Sequence, residues 1–329
     1  MNKKIRVFSG SRPTGGLHLG NYLGSVRGYL ELQNRPDFDC IYAVVDLHGI
    51  TSPFNPKIYP QQVLQIAIEY LAIGLNPKKA HLIIQSQIPQ HLELSYLLGT
   101  IYPVSRLEQL PTYKDKKKEQ PRYINLGLLY YPVLMAADIL IYKSEIVPIG
   151  KDQLPHLEVT REIARSFNRL FGKTFPEPKA HLMPGAYIPS LTGKGKMSKS
   201  QPGSYIALTD NLEIIKKKLA KVPTDSGQGK VIPQTGGIAT LLTLVELFEG
   251  EEKRKSYEKN YLTSGLHYQP LKQNLAQAIY QDLLPIQEKI SYYRQHLSEV
   301  KDILEAGRSY ATPLAQTTLE EVKKKMGLI

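Results

Sequence analysis

The sequence predicts an α/β protein, a doubly wound parallel sheet followed by an all-helical region. Three observations carry this. Short apolar runs of strand type recur at residues 5–8, 41–45, 82–85 and 146–149. Helical patterns lie between them, and strands alternating with helices favour a parallel sheet whose ligands sit beyond the carboxyl ends of the strands. After residue 203 no strand pattern is convincing.

In order along the chain, the first run, Ile5-Arg6-Val7-Phe8, leads into a turn and then an amphipathic helix over 26–32. Over 61–73, Val63, Ile66, Ala67, Tyr70 and Leu71 follow the i, i+3, i+4, i+7, i+8 spacing of a helix with one buried face. In 157–171, Leu157, Ala164, Phe167 and Phe171 mark a similar stripe. Residues 103–125 break the pattern with Pro-containing turns and the run Lys114-Asp115-Lys116-Lys117-Lys118, expected as an irregular insertion and a solvated loop rather than an RNA contact. A Gly- and Pro-rich stretch over 184–203 then closes a first domain, 1–203. Helices are expected at 211–221, 240–248, 271–287, 291–306 and 318–326, forming a second domain, 204–329, whose last helix packs back on the first.

Composition narrows the partners. Hydrophobic residues at 42% and charged residues at 22% are those of a globular chain with a real core. Forty-two Lys+Arg against 30 Asp+Glu give a formal charge of +12, which favours a polyanion or phosphorylated substrates. A single cysteine, Cys40, excludes an intramolecular disulfide and a Cys-cluster metal site. No leader precedes the first strand and no apolar run approaches the ~20 residues of a membrane span, so a cytosol-like compartment is expected.

The stretch Gly10 to Gly24 organises the rest. Five glycines and a proline allow a sharp turn and close backbone approach to a ligand. A helix beginning there offers unpaired N–H groups to an anion, with His18 and Asn21 on about the same face. Asn21 stands where a Walker A loop needs lysine, and no Gly-x-Gly-x-x-Gly is present, so neither a P-loop nor a dinucleotide site is supported. Phosphate turn and plain structural turn both remain open for this stretch alone.

Three further stretches carry chemistry. In the run Pro132 to Tyr142, read as a helix with proline in its first turn, Asp138 lies among apolar residues and needs a partner. Tyr131, Met135 and Asp138 fall on one wall, suited to a flat aromatic group bearing one N–H or O–H donor. A structural ion pair or cap is the alternative. Val147 to Gln153 is a strand end entering a loop, the usual ligand position of open α/β sheets, although Asp152 could simply cap the next helix. Gly193-Lys194-Gly195-Lys196-Met197-Ser198-Lys199-Ser200 is a mobile loop with three lysines, able to clamp a triphosphate or merely to be solvated.

Together, Leu17-His18-Leu19-Gly20-Asn21 and Lys-Met-Ser-Lys-Ser at 196–200 resemble the two signatures of the class I aminoacyl-tRNA synthetases. Val45-Asp46-Leu47-His48, residues 131–138 and residues 147–168 resemble the tryptophanyl family within that class, and the similarity extends nearly to Met326-Gly327-Leu328. The resemblance implies a Rossmann-type catalytic domain and a helical tRNA- and anticodon-binding domain. It implies an ATP-dependent ligase in which tryptophan attacks the α-phosphorus of ATP and the resulting adenylate is passed to the 3' end of tRNA. It further implies a cytoplasmic homodimer and Mg2+ bound with the nucleotide, without dedicated protein ligands. Catalysis would then be positioning and charge stabilisation, with no protein nucleophile.

By the same resemblance, His18, Lys196 and Lys199 are catalytic. Arg12, Pro13, Thr14, Gly20, Asn21, Gly150, Lys151, Asp152 and Ile188, with the loop residues Lys196, Met197, Ser198, Lys199 and Ser200, contact ATP. Asp138 accepts the indole N–H, and Phe8, Gly10, His48, Tyr131, Met135, Val147, Ile149 and Gln153 complete the amino-acid pocket. The chain departs from the family pattern at Arg12, where glutamine is frequent, and at Lys151, where an acid is usual. Asn21 replaces the second histidine of the class signature. The alternatives are a tyrosyl enzyme, a non-catalytic RNA-binding or regulatory paralogue, and a small-molecule adenylyltransferase with the same phosphate turn. The last leaves the helical domain and the lysine loop without a role.

Overall fold

The structure, a computed structural model, describes residues 4–119, 121–182, 188–199 and 201–329. Five parallel strands form its sheet: β1 (Ile5–Ser11), β2 (Phe38–Val44), β3 (Ala80–Ile84), β4 (Ile146–Ile149) and β5 (Lys179–Leu182), in the order β3-β2-β1-β4-β5. All but one residue of β2 are buried, as expected for an interior strand covered on both faces. Strand order reverses between β1 and β4, so the switch point where such sheets bind ligands lies beyond Ser11 and Ile149. β5 is missed by the sequence pattern because it is short and polar, with no residue fully buried.

The chain forms two compact units. One comprises Met1–Thr14, Tyr29–Met183 and His296–Ile329, the other Gly15–Gly28 and Pro184–Gln295. This grouping differs from the expected division at 203/204. Residues following the glycine turn pair with the later segment, Leu19 N donating to Ile206 O at 3.0 Å and Leu208 N to Leu17 O at 3.1 Å.

In the first unit, the core joins Phe8, Ile41, Ile83, Val133, Ile139, Val147 and Phe167 with Ala311, Ala315 and Leu319 of the helix Leu297–Lys325. This helix is continuous where the sequence pattern suggests a break between two helices at about 307–317. Gly307 is the reason it looks broken: a Cβ there would lie 2.0 Å from Leu82 O, so glycine lets the helix backbone press against β3. The expected irregular insertion is largely helical, over Val104–Glu108 and Pro111–Glu119. Pro103 and Pro111 stand at helix starts, where a missing N–H costs nothing. Lys116, Lys117 and Lys118 occupy the last turn, favoured by the helix dipole.

The helix expected from Pro132 instead spans Leu126–Leu140, with Pro132 inside it. Its start is set by Asn125, whose side chain accepts from Leu128 N at 3.0 Å. In the second unit, the helices Leu212–Ala220, Gly236–Glu249 and Tyr268–Gln295 bury Ile215, Leu219, Leu241, Leu244, Leu271, Ile279 and Leu283. A further helix, Glu251–Leu262, has no apolar periodicity to betray it and buries only Tyr261. Two i, i+4 ion pairs, Glu251–Lys255 and Arg254–Glu258, both 2.7 Å, support it instead. Among the described residues no helix is long and apolar enough to cross a membrane.

Candidate active site

In the first unit, site residues gather at the carboxyl ends of the strands. Phe8 and Gly10 lie on β1, with Arg12, Pro13 and Thr14 directly after it. His48 sits on the helical turn Asp46–Gly49 that follows β2. Val147 and Ile149 end β4, and Gly150, Lys151, Asp152 and Gln153 lead into the helix Leu154–Phe171. Gly10 is required by packing: a Cβ would come within 2.8 Å of Val45 Cγ1. Phe8, Val147 and Ile149 belong to one apolar cluster, with Met135 packed against it.

Asp138 is the centre of this site. It is 2% exposed, and three side chains donate to it. His91 Nδ1 lies 2.7 Å from Oδ1, His48 Nε2 lies 2.9 Å from Oδ2, and Gln85 Nε2 reaches both oxygens at 2.8 and 2.9 Å. The donor directions follow from chemistry. Gln85 Oε1 accepts Leu47 N at 3.1 Å, which turns its NH2 toward the carboxylate. His91 Nδ1–H donates to Asp138, and its Nε2 lies 2.7 Å from the Tyr142 hydroxyl. Burial alone would raise the Asp138 pKa, but the hydrogen bonds from His48 and His91 outweigh it and hold the group below its ordinary value. Asp138 is therefore a buried carboxylate with acceptor capacity only.

A second network runs alongside. Tyr131 is edge-on to His48, ring centres 6.2 Å apart. Its hydroxyl lies 2.9 Å from Thr112 Oγ1 and 2.6 Å from His156 Nε2. His156 Nδ1 is 2.9 Å from Gln153 Oε1, and Gln153 Nε2 donates to Asp152 Oδ2 at 2.9 Å. Burial lowers the His156 pKa to about 4; Asp152 opposes this, while the charges of His48 and Arg12 add to it.

Within the second unit, His18 caps the helix beginning at Leu19. Its Nδ1 accepts Asn21 N at 3.3 Å, and Asn21 Oδ1 accepts His18 N at 3.4 Å. Burial and the charges of Lys199 and Lys196 lower the His18 pKa to about 4. A neutral ring accepting at Nδ1 carries its proton on Nε2, which makes His18 a hydrogen-bond donor near neutral pH. Gly20 is packed under that ring, since a Cβ would lie 2.9 Å from it. The lysine loop is a tight hairpin: Met197 N donates to Ile188 O, and Ser190 N to Gly195 O, both at 2.9 Å. Gly193 and Gly195 take positive φ of 76° and 72°. Met197 is buried and anchors the loop, Lys196 is exposed, and Lys199 Nζ donates to Gly15 O at 2.9 Å. Ser198 N donates to Ser204 Oγ at 3.2 Å. Ser200 lies outside the described residues.

Each unit thus joins its own expected residues, and the first adds five that sequence reasoning missed: Gln85, His91, Thr112, Tyr142 and His156. Gln85 and His91 stand 53 and 47 positions from Asp138, so no local spacing points to them. Only His156, three positions after Gln153, carries a readable i, i+3 signal.

The family profile described as "tRNA synthetases class I (W and Y)" matches residues 1–283. The chain belongs to that family. The tryptophan–tRNA ligases of Wolinella succinogenes and Caldanaerobacter subterraneus are 39% and 41% identical to this synthetase. The first alignment covers 99% of both chains and the second 98% of both. Among solved structures, tryptophanyl-tRNA synthetase from Campylobacter jejuni, complexed with ADP and tryptophane, superposes with a TM-score of 0.86 at 30% identity, covering 98% of this chain and 100% of that one. A tyrosyl-tRNA synthetase from Archaeoglobus fulgidus, 19% identical with a TM-score of 0.67 over 88% of this chain and 91% of its own, shares the fold. The carboxylate and imidazole networks above are therefore those of a class I synthetase.

Proposed function

We propose that this synthetase is a tryptophan–tRNA ligase. In the first step a tryptophan carboxylate oxygen attacks the α-phosphorus of ATP, forming tryptophanyl-adenylate and releasing pyrophosphate. In the second a ribose hydroxyl at the 3' end of tRNA attacks the activated carbonyl and AMP leaves. One observation carries the choice of amino acid. Asp138 is a buried acceptor-only group on a wall shared with Tyr131 and Met135, matched to a flat ring whose single N–H is a donor only. Full-length relatives are ligases for the same amino acid.

In this reading the indole N–H reaches Asp138 by taking the place of His48, the donor beside Tyr131, while His91 and Gln85 keep hold of the carboxylate. Phe8, Val147, Ile149 and Met135 supply apolar contact, and Gly10 leaves room for it. Tyr131 and Gln153 offer acceptors to the α-ammonium, and Asp152 belongs with the nucleotide contacts. Arg12, Pro13, Thr14, Gly150 and Lys151, with Gly20, Asn21 and Ile188, contact the nucleotide. His18 Nε2–H, Lys196, Lys199 and the backbone of Met197 and Ser198 act on its phosphates. Their work is to neutralise charge that grows on the phosphoryl oxygens as pyrophosphate departs.

Among the described residues no cluster of three or more His, Cys, Asp or Glu is arranged to hold a metal ion. Mg2+ in this reading is bound by the phosphate oxygens of ATP and adds charge neutralisation there. The helical unit and the net charge of +12 suit a tRNA partner, with the anticodon read by helices of residues 204–295. A homodimer working in the cytoplasm beside its tRNA completes the proposal. Charging of tRNA with labelled tryptophan by the purified chain tests it. Product requiring ATP and the matching tRNA is expected; no charged tRNA with tryptophan under conditions where a relative works would refute it.

A further inference from the structure

We infer that His156 is a positioning residue: it sets the hydrogen-bond polarity of Tyr131 and Gln153 so that both turn lone pairs toward the ammonium group of the amino-acid substrate. The inference rests on the amino-acid pocket proposed above and concerns a residue given no part in it.

The argument is a count of protons along one chain of bonds. Asp152 Oδ2 is an acceptor, so the Gln153 group facing it at 2.9 Å is the NH2. That leaves Gln153 Oε1 facing His156, and His156 Nδ1, 2.9 Å away, must carry the proton. Neutral imidazole then has a bare Nε2, which can only accept. Two hydroxyls surround it, Thr112 Oγ1 at 2.7 Å and Tyr131 at 2.6 Å, themselves 2.9 Å apart. Either Tyr131 donates directly to His156, or it donates to Thr112, which donates to His156. In both cases the phenolic proton points into the network and the remaining lone pairs of Tyr131 are left for an outside donor. Gln153 Oε1 likewise keeps one lone pair after His156 has used the other. A cationic ammonium, with three donors and no acceptor, is the group that such an array accepts.

Protonated His156 would reverse this. Its Nε2–H would donate to the same hydroxyls and drive the phenolic proton outward, against the ammonium. His156 is 1% exposed, and its pKa of about 4 keeps the ring neutral under working conditions.

The test compares tryptophan with indole-3-propionate, which has the same ring and carboxylate and lacks the ammonium. The chain contains no tryptophan, so the indole fluorescence of either ligand, excited to the red of tyrosine absorption, is read without a tryptophan background. His156→Leu should weaken tryptophan binding by about 10- to 100-fold, the scale of misdirected hydrogen bonds to a charged group. It should leave indole-3-propionate within about threefold of the unmodified protein, a change of under 1 kcal/mol. His156→Gln, which keeps a donor and an acceptor on one side chain, should recover part of the tryptophan affinity, and it carries the same comparison if His156→Leu fails to fold. Equal weakening of both ligands, or unchanged tryptophan affinity, would overturn the inference and leave the proposed function standing. Failure of the unmodified protein to bind either ligand would overturn both.

Discussion

His91 Nδ1 and Asp138 Oδ1 lie 2.7 Å apart in the interior of the first unit, with His91 fully buried and Asp138 nearly so. The imidazole therefore donates to a carboxylate that burial would otherwise neutralise, and its second nitrogen lies against the Tyr142 hydroxyl. Asp138 is thus held by the fold as well as offered to a ligand.

Replacing Asp138 consequently does two things. Asp138→Ala strands the donors of His91, His48 and Gln85 and should cost about 3 kcal/mol of stability, the scale of breaking a buried charged pair. Chemical denaturation reads this. Asp138→Asn preserves the shape and turns an NH2 group against one of those donors. Its tryptophan KM should rise at least about tenfold with the KM for ATP nearly unchanged. Equal changes in both would remove Asp138 from amino-acid recognition.

Lys199→Ala should slow adenylate formation by roughly 10²–10³, the usual loss for one donor that stabilises charge in the transition state. Rapid-quench measurement of the first turnover is the check, and a near-normal rate would remove Lys199 from the phosphate clamp.

Acidification should destabilise the fold through its buried histidines. His18 and His156 are held near 4 against 6.5 for the free group, and His81 shifts the same way. Between those values the unfolded chain binds protons that the folded chain refuses, so stability rises with pH across the window and is lost as pH falls. The Tm followed by circular dichroism should fall from about pH 6.5 toward pH 4. A flat Tm over that range would contradict the burial of these rings.

Gly307→Ala should cost about 2 kcal/mol by overpacking, because its Cβ would meet the Leu82 carbonyl rather than a side chain able to move. Urea denaturation measures it. A neutral result would mean that the helix Leu297–Lys325 does not press on β3 as described.

What the sequence made legible follows from what is local. β1, β2, β3 and β4 announce themselves because a buried parallel strand is a short apolar run, whereas β5, polar and with no residue fully buried, does not. Glu251–Leu262 escaped because it is held by charge pairs along its surface rather than by an apolar stripe. Pro132, expected in the first turn of a helix, sits inside one, and Gly307 lies inside a helix where the apolar pattern lapses, there for close packing. At the site, Asp138 stood out because a carboxylate in an apolar run demands a partner. Its partners did not, since Gln85 and His91 come from a neighbouring strand end and a helix that only the folded sheet brings near. Tyr131 and Gln153 were legible as pocket residues, while the ring that links them carries only its i, i+3 spacing from Gln153, too weak a signal by itself to single it out.

Amino-acid-dependent exchange of pyrophosphate into ATP tests the central claim most directly, since it isolates the activation step from tRNA. With the purified chain, tryptophan should support exchange and tyrosine should not exceed background. Exchange driven by tyrosine and absent with tryptophan would contradict the assignment of Asp138 as the acceptor for an indole N–H.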